Sequence, residues 1–283
     1  MTIAVTGATG DLGGRVAREL AAQGVKQRLI VRDPSAAPHL NGADVAVAAY
    51  EDSEAMATAL DGVGTLLLVS AHESPQRVSL HRKAIQGAAL AGVERIVYTS
   101  FMGAGPNATF SYARDHSATE LAVREAGISL TAMRSSLYAD VAPQFVGVDG
   151  VIRAPAGHGR LAWVARADVA RLAAVLLIQP GHEGQVYDVS GPHAIDLYET
   201  ARILTKATRR AITYHAETPE EARASRSGHP GWLVDGWIGS YLMLGTGEGS
   251  VTSHTIEHIT GRRPMTLPEF LSAEPSSFAH LLG

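Results

Sequence analysis

Short apolar runs alternate with amphipathic stretches along the first half of the chain. The segment TIAVT (2–6) predicts a strand, and LGGRVARELAAQ (12–23) predicts a helix because its apolar positions recur at the helical period. Runs such as LLLV, apolar on both faces, suit strands that helices cover on both sides. Further strands are predicted at 27–32, 44–49, 64–70, 95–100 and 129–134.

The order of these elements indicates a fold class. Strands that alternate with helices at this spacing form parallel βαβ units with right-handed crossovers. We therefore expect an α/β protein with a Rossmann-type, doubly wound parallel sheet. A helix at 166–180 and a strand near 184–190 follow, and the strand is expected to return to the main sheet. We predict a nucleotide-binding domain over 1–150 and a smaller, mainly helical C-terminal lobe over 151–283.

The segment VTGATGDLGG carries glycines at 7, 10 and 13 between the first strand and the first helix. In a dinucleotide-binding turn, Gly7 permits the tight turn, Gly10 lets the backbone approach a pyrophosphate, and Gly13 lets the helix pack closely. The helix N-terminus then offers amides and a partial positive charge to phosphate. The spacing is G-x-x-G-x-x-G rather than the commoner G-x-G-x-x-G, and the absence of a Gly-Lys-Ser/Thr run argues against an ATP-type P-loop.

The second strand ends in VRDP, where a dinucleotide fold meets the adenosine ribose. Asp33 could accept a hydrogen bond from a free 2′-hydroxyl, which would favour NAD. Arg32 could pair with a 2′-phosphate, which would favour NADP. Because Asp33 precedes a proline and suits a turn cap, we favour NADP and keep NAD open.

Composition narrows the class of protein. The 283 residues are 46% apolar and 18% charged, which is typical of a globular protein. The net charge of −4 gives no reason to expect nucleic acid, and no apolar run suggests a membrane span. With no cysteine, thiol chemistry is excluded, and HTIEH at 254–258 lacks a convincing acidic partner, so no metal site is expected. We expect a cytoplasmic protein.

Seven segments, in order, resemble the NmrA-like group of atypical short-chain dehydrogenases, in the branch of NADPH:quinone oxidoreductases and triphenylmethane reductases. They are TGATGDLGGRV, LIVRDPSAAPHL, GVGTLLLVSAHE, HRKAIQGAALAGVERIVYTSFMGA, ARDHSATE, VARADVARLAAVLL and GQVYDVSGPHAIDLYETARIL. The resemblance implies an extended Rossmann domain, a small substrate lobe, NAD(P)H binding and hydride transfer to a quinone or dye. We expect a small aromatic acceptor as partner, and a monomer or homodimer.

The resemblance also implies site residues. Along the cofactor it implies Gly7, Thr9, Gly10, Asp11 and Leu12 at the pyrophosphate, Arg32 at the adenosine ribose, Ser70 and Ala71 near the second ribose, and Thr99, Ser100 and Phe101 on the nicotinamide side. Near the acceptor it implies His116, Arg134 and Tyr138.

Some positions depart from the family pattern. Ser135 and Val141 stand where the family often has asparagine, so acceptor recognition differs. Ala49 stands where an aspartate often contacts the adenine, so that contact is absent or comes from Tyr50 or Glu51.

Ordinary short-chain dehydrogenases protonate their product through a Tyr-x-x-x-Lys pair, and none of the eight tyrosines here has a lysine four residues later. The nearest substitute is Tyr112 with His116, four apart on one helix face. We name His116, Tyr138 and Tyr112 as catalytic candidates; packing for Tyr112 and a structural role for His116 stay open. Arg166 and Asp168 stand ahead of the long helix, where Asp168 suits an N-terminal cap or charge partner and a structural role is expected.

The missing lysine favours particular acceptors. Reduction of a simple ketone produces a very basic alkoxide. Reduction of a quinone produces a phenolate-like oxygen with a pKa of about 10 or below. A cationic dye needs no proton. The sequence therefore predicts an NADPH-dependent reductase of quinones or similar electron-poor aromatics. The alternatives are an NmrA-like protein that senses NAD(P)(H) without turnover, or a tailoring reductase of secondary metabolism.

Overall fold

The computed structural model describes residues 2–282, which form strands and helices in regular alternation up to residue 135. The strands are β1 (Thr2–Thr6), β2 (Gln27–Val31), β3 (Ala43–Val47), β4 (Val63–Leu68), β5 (Arg95–Phe101), β6 (Ser129–Ser135), β7 (Val151–Ala154), β8 (Arg160–Leu161), β9 (Val186–Val189), β10 (Ile195–Asp196) and β11 (Thr213–Ala216). The helices are α1 (Asp11–Ala22), α2 (Ser53–Ala59), α3 (Arg77–Leu90), α4 (Ser111–Glu125), α5 (Arg166–Ile178), α6 (Leu197–Thr208), α7 (Pro219–Ser225), α8 (Gly231–Gly245), α9 (Thr255–Thr260) and α10 (Leu267–Ala273).

Seven strands form the main sheet in the order β3-β2-β1-β4-β5-β6-β9. β1 pairs in parallel with both β2 and β4, although these strands are far apart along the chain. The chain builds outward from β1 to β3 and then crosses to β4 on the other side. This reversal leaves a crevice at the carboxyl ends of β1 and β4, which is where doubly wound sheets bind ligands. The Rossmann-type fold is confirmed, including the returning strand β9.

Burial explains why these runs form a parallel sheet. All six residues of β4 are buried, as expected for a strand covered on both faces. Tyr98 on β5 is fully buried among apolar side chains. β3 lies at the edge of the sheet, and its Val45 and Val47 are 44% and 54% exposed. Burial is therefore complete in the inner strand β4 and falls at the edge strand β3.

The chain divides into two compact units. The first comprises residues 2–106, 115–134 and 166–187, and contains most of the main sheet. The second comprises residues 107–114, 135–165 and 188–282. The chain thus passes between the units several times, whereas the sequence-based prediction draws one boundary at 150.

The second unit contains helices α6 to α10 and two small sheets that the sequence patterns do not predict. β7 pairs in parallel with β11, and β8 pairs antiparallel with β10. Three aromatic rings meet edge to face: Phe145 lies 5.5 Å from Trp163 and 5.4 Å from Tyr241, measured between centroids. These contacts give the unit a core of its own. Across the described residues, none of the helices is long and apolar enough to span a lipid bilayer.

Arg95 on β5 holds the C-terminal end of α5. Its guanidinium is only 7% exposed and donates to the carbonyls of Leu176, Leu177 and Gln179, at 2.7, 2.9 and 3.3 Å. Helix C-termini leave such carbonyls without partners inside the helix. One buried arginine therefore satisfies the end of α5 and fixes this helix to the sheet.

We expect Arg95→Met to lower the free energy of unfolding by about 2–4 kcal/mol, because it leaves several buried carbonyls without donors. The control is Arg82→Met: Arg82 pairs with Glu125 at 3.3 Å, both side chains are 52% exposed, and such pairs contribute about 1 kcal/mol or less. Urea unfolding followed by circular dichroism measures both variants. Equal losses would show that Arg95 is no more important than a surface pair.

Candidate functional site

The turn between β1 and α1 is closed by a hydrogen bond of 2.9 Å from the Gly10 amide to the Gly7 carbonyl. Gly7 has a φ of +63°, a left-handed conformation that strains residues with a Cβ. α1 begins at Asp11 with Gly10 as N-cap, and within residues 2–282 no side chain caps it. The first amides of α1 therefore face outward at the positive end of the helix dipole, where an anion binds well.

The three glycines of this turn are required for different reasons. A Cβ on Gly13 would lie 2.3 Å from the Gly7 carbonyl oxygen, so only glycine allows α1 to approach the turn. A Cβ on Gly10 would meet that oxygen at 3.4 Å, which is an ordinary contact. The packing of the protein therefore does not require glycine at position 10. The space that a Cβ of Gly10 would fill fits a ligand that approaches the main chain closely, as a dinucleotide does.

A cleft of about 500 Å³ opens at this turn, at the carboxyl ends of β1 to β4. Eight residues predicted to bind the cofactor line it: Gly7, Thr9, Gly10, Asp11, Leu12, Arg32, Ser70 and Ala71. The structure thus brings together the residues expected at the phosphates and the two riboses. Thr99, Ser100 and Phe101 do not belong to its lining.

At the ribose end, the structure separates the two candidate side chains. Arg32 is exposed and lines the cleft. Asp33 instead accepts hydrogen bonds from the hydroxyl and the amide of Ser35, at 2.7 and 2.9 Å, and these bonds lower the pKa of its carboxyl. Asp33 therefore caps the short helix that follows, and Arg32 remains to meet a ribose substituent. This arrangement favours a 2′-phosphate.

Tyr50 and Glu51 are the two candidates for the adenine contact that Ala49 lacks. The Tyr50 hydroxyl lies 2.6 Å from both the Val69 carbonyl and the Thr6 hydroxyl, and burial raises its pKa. That hydroxyl is therefore used to join the ends of β1 and β4. Glu51 is exposed and lines the cleft, which leaves it as the candidate for a polar adenine contact.

The loop of Ser70 and Ala71, after β4, is fixed by side chains from β5 and α3. Thr99 accepts a hydrogen bond from the Ser70 amide at 2.8 Å, and His81 accepts one from the Ala71 amide at 2.8 Å. Arg77 donates to the Ala71 carbonyl and to the Ser70 hydroxyl. Thr99 thus shapes the cleft through this loop. The main chain of the loop is held in a defined conformation by these hydrogen bonds.

His116 is buried between Arg77 and Tyr98. Its Nε2 lies 3.1 Å from the Arg77 guanidinium, which can only donate, so Nε2 accepts. The neutral ring then carries its proton on Nδ1, 2.8 Å from the Tyr98 hydroxyl. Burial and the charge of Arg77 hold the pKa of His116 well below its usual range. His116 is 6% exposed and does not line the cleft, so this geometry suits a positioning role; its catalytic role stays a prediction.

Arg134 and Ser100 both bind Glu120. Arg134 makes two hydrogen bonds of 2.9 and 2.8 Å to the Glu120 carboxylate, and the Ser100 hydroxyl donates to it at 2.7 Å. Glu120 is 1% exposed, so its charge depends on these partners. The Ser100 hydroxyl and the Arg134 guanidinium therefore join β5 and β6 to α4.

The remaining two candidates, Tyr112 and Tyr138, belong to the second unit. Tyr112 is 8% exposed, stacks edge to face on Phe110 at 5.2 Å, and lies so close to α8 that a Cβ on Gly236 would meet it at 2.6 Å. This is the packing that the sequence analysis left open. Tyr138 is half-buried and forms a β-bridge with Val164. The catalytic roles of both tyrosines stay predictions.

Sequence reasoning missed several residues that organise this site. Arg77 and His81 had a usable signal, since they stand four apart in the α3 pattern and so share a helix face. Glu120 had none, because its partners come from two strands. Arg166 lines the cleft, a position that the expected structural role did not foresee.

A family model described as NAD(P)H-binding matches residues 7–180. Quinone oxidoreductase 2 of Escherichia coli (strain K12) is 35% identical over 279 residues, which cover 95% of this chain and 97% of that protein.

Solved structures of reductases are similar to this chain over nearly its whole length. The NADPH-dependent quinone oxidoreductase of Escherichia coli complexed with NADPH superposes with a TM-score of 0.87 at 34% identity, covering 99% of this chain and 100% of that one. The Citrobacter sp. triphenylmethane reductase complexed with NADP(H) superposes with a TM-score of 0.84 at 29% identity, covering 96% and 99%.

The glycine geometry predicts unequal losses of stability for two alanine substitutions. Gly13→Ala should lower the free energy of unfolding by about 2–3 kcal/mol, because its methyl group meets the Gly7 carbonyl. Gly10→Ala should cost about 1 kcal/mol or less, the ordinary difference between glycine and alanine at an N-cap. Urea unfolding of both variants measures this. A Gly10→Ala loss as large as that of Gly13→Ala would contradict the distinction.

The buried histidines predict a pH dependence of stability. Burial first, and then Arg77, lowers the pKa of His81 to about 3, and burial together with Arg77 and His81 holds the pKa of His116 well below its usual range. In the unfolded chain both bind protons near pH 6.5, so below that value the unfolded state takes up protons that the folded state does not. Stability is therefore full above about pH 6.5 and falls on acidification, by up to about 1.4 kcal/mol per pH unit for each histidine.

Urea unfolding between about pH 6.5 and pH 5.5 tests this slope. His116→Gln should reduce this slope by about one proton, because a glutamine takes up no proton on unfolding. Identical slopes for His116→Gln and the unsubstituted protein would mean that His116 takes up protons equally in the folded and unfolded states, which would contradict a pKa lowered by folding.

Proposed function

This chain belongs to the NAD(P)H-binding family, in the NmrA-like branch of the atypical short-chain dehydrogenases, and from that premise we propose its function. It is an oxidoreductase that transfers hydride from NADPH to a quinone or a similar electron-poor aromatic acceptor. The relatives support both halves of this statement: one is named a quinone oxidoreductase, and two are solved with NADPH or NADP(H).

The observation that carries the proposal is the bare main chain at Gly10. The protein itself leaves this position open, in a cleft of about 500 Å³ at the crossover of the sheet, beside uncapped amides of α1. A diphosphate fits those amides, and the guanidinium of Arg32 suits a 2′-phosphate. The dinucleotide, when bound, supplies the hydride; the chain binds and orients it and excludes water.

The nicotinamide half of the dinucleotide is proposed to bind against the loop of Ser70 and Ala71. Thr99, His81 and Arg77 fix its amides and carbonyl before any ligand arrives. A loop fixed in this way holds hydride donor and acceptor in line without reorganising, which lowers the entropic part of the barrier. In this proposal His116 and Arg77 position the loop, and the catalytic role of Tyr138 stays a prediction.

The acceptor class follows from what the chain lacks. No tyrosine in the sequence has a lysine four residues later, and the ring nitrogens of His116 face Arg77 and Tyr98. A strong, positioned acid for an alkoxide product is therefore missing. Quinones and cationic dyes do not need one, because a phenolate-like oxygen is weakly basic and a reduced dye takes no proton.

A cytoplasmic location and a monomer or homodimer stay predictions of the sequence.

Oxidation of NADPH, followed by absorbance, tests the function with a benzoquinone, a naphthoquinone, a triarylmethane dye and an aliphatic ketone. We expect turnover of the quinones and the dye and none of the ketone. Gly10→Asp should abolish NADPH binding, while Gly228→Asp, which adds the same charge at an exposed glycine with open space around it, should not. Tight NADPH binding with no oxidation of any acceptor would instead support a sensor.

The same assay separates NADPH from NADH. Arg32→Met should raise KM for NADPH about ten- to hundredfold, the worth of a charge-assisted bond to phosphate, and leave KM for NADH nearly unchanged. Arg82→Met, which removes an arginine outside the cleft, is the control. Equal effects on both dinucleotides would remove Arg32 from the 2′-phosphate.

A further inference from the structure

A second arginine lines the cleft, at the point where α1 begins. Arg166 is the first residue of α5, and its side chain is 19% exposed. Its Nη1 lies 3.3 Å from Oδ2 of Asp11, the first residue of α1, and both residues belong to the cleft lining. A guanidinium and a carboxylate therefore stand together beside the amides that face a diphosphate.

Asp11 creates an electrostatic problem for that ligand. A carboxylate at the first position of α1 suits the helix dipole in the free protein. A diphosphate bound to the same amides carries like charge and is repelled by it at a distance of a few ångströms. The chain has lysines only at 26, 83 and 206, and none of these lines the cleft. Among the described residues of the lining, the arginines are Arg32 and Arg166.

We propose that Arg166 binds the diphosphate of the dinucleotide and balances the charge of Asp11, an inference that rests on the proposed function. A guanidinium keeps its charge at every working pH and carries five donors, so it serves a carboxylate and a phosphate at once. Arg166 lies 3.3 Å from Asp11 in the cleft lining, and its charge makes an acidic residue tolerable at a phosphate-binding turn. Arg166 is thus a binding residue rather than only a link between α1 and α5.

Titration of NADPH into the protein, followed by NADPH fluorescence, tests this with Arg166→Met, Asp11→Asn and Arg82→Met. Arg166→Met should raise Kd about tenfold or more, as expected for loss of a charged donor. Asp11→Asn should lower Kd by about threefold, because a like charge leaves the site. Arg82→Met removes an arginine whose pair with Glu125 has the same 3.3 Å distance outside the cleft, and should match the unsubstituted protein.

Arg166→Met and Asp11→Asn are expected to change Kd in opposite directions, which distinguishes a binding role of Arg166 from a purely structural one. If the ion pair only joined two helices, Asp11→Asn and Arg166→Met would break the same contact and weaken NADPH binding alike; that result overturns the proposal. So does an Arg166→Met Kd equal to that of Arg82→Met. Arg166→Lys, which keeps the charge, should fall between the unsubstituted protein and Arg166→Met, and circular dichroism melts check that each variant is folded.

Two fragments locate the contact. ADP-ribose 2′-phosphate contains the diphosphate, and adenosine 2′-monophosphate does not. Arg166→Met should weaken the first and leave the second unchanged, whereas Arg32→Met should weaken both. If the unsubstituted protein bound neither NADPH nor the fragments, the proposed function would fail as a whole; normal NADPH binding that is insensitive to Arg166 would overturn this inference alone.

Discussion

The site depends on one close approach, between the first turn of α1 and the carbonyl of Gly7. Backbone meets backbone there, since a Cβ on Gly13 would come within 2.3 Å of the oxygen. The contact holds the start of α1 against the carboxyl end of β1, and this brings uncapped amides to the crossover of the sheet. The remaining parts of the cleft lie around this fixed point.

The cleft is held in shape mainly by polar side chains that bind the main chain. Tyr50 meets the Val69 carbonyl, Thr99 meets the Ser70 amide, and His81 meets the Ala71 amide. Each of these hydrogen bonds holds a main-chain group beside the cleft, so the backbone there is fixed before a ligand binds. Preorganisation of this kind avoids reordering on binding. Charged side chains, Arg32, Glu51 and Arg166 among them, line the same cleft.

Local sequence patterns were sufficient to predict the sheet and the glycine turn, because strand burial and turn conformation depend on residues that are close in the sequence. The two-residue strands β8 and β10 are too short to show a period. Contacts between residues far apart in the sequence have no local pattern that predicts them. Glu120 binds Ser100 and Arg134 from two different strands, and Arg166 contacts Asp11, 155 positions away. The sequence therefore predicted which loops form the site but not which side chains hold them.

The buried cluster behind the Ser70 loop does not change charge over the usual working range of pH. His81 and His116 stay neutral, Arg77 stays charged, and burial raises the pKa of Tyr98 to about 12. The hydrogen bonds that fix the loop are therefore the same in mildly acidic and mildly alkaline solution. A bell-shaped pH–rate profile would consequently have its origin outside this cluster, because neither of its histidines nor its tyrosine changes charge over that range.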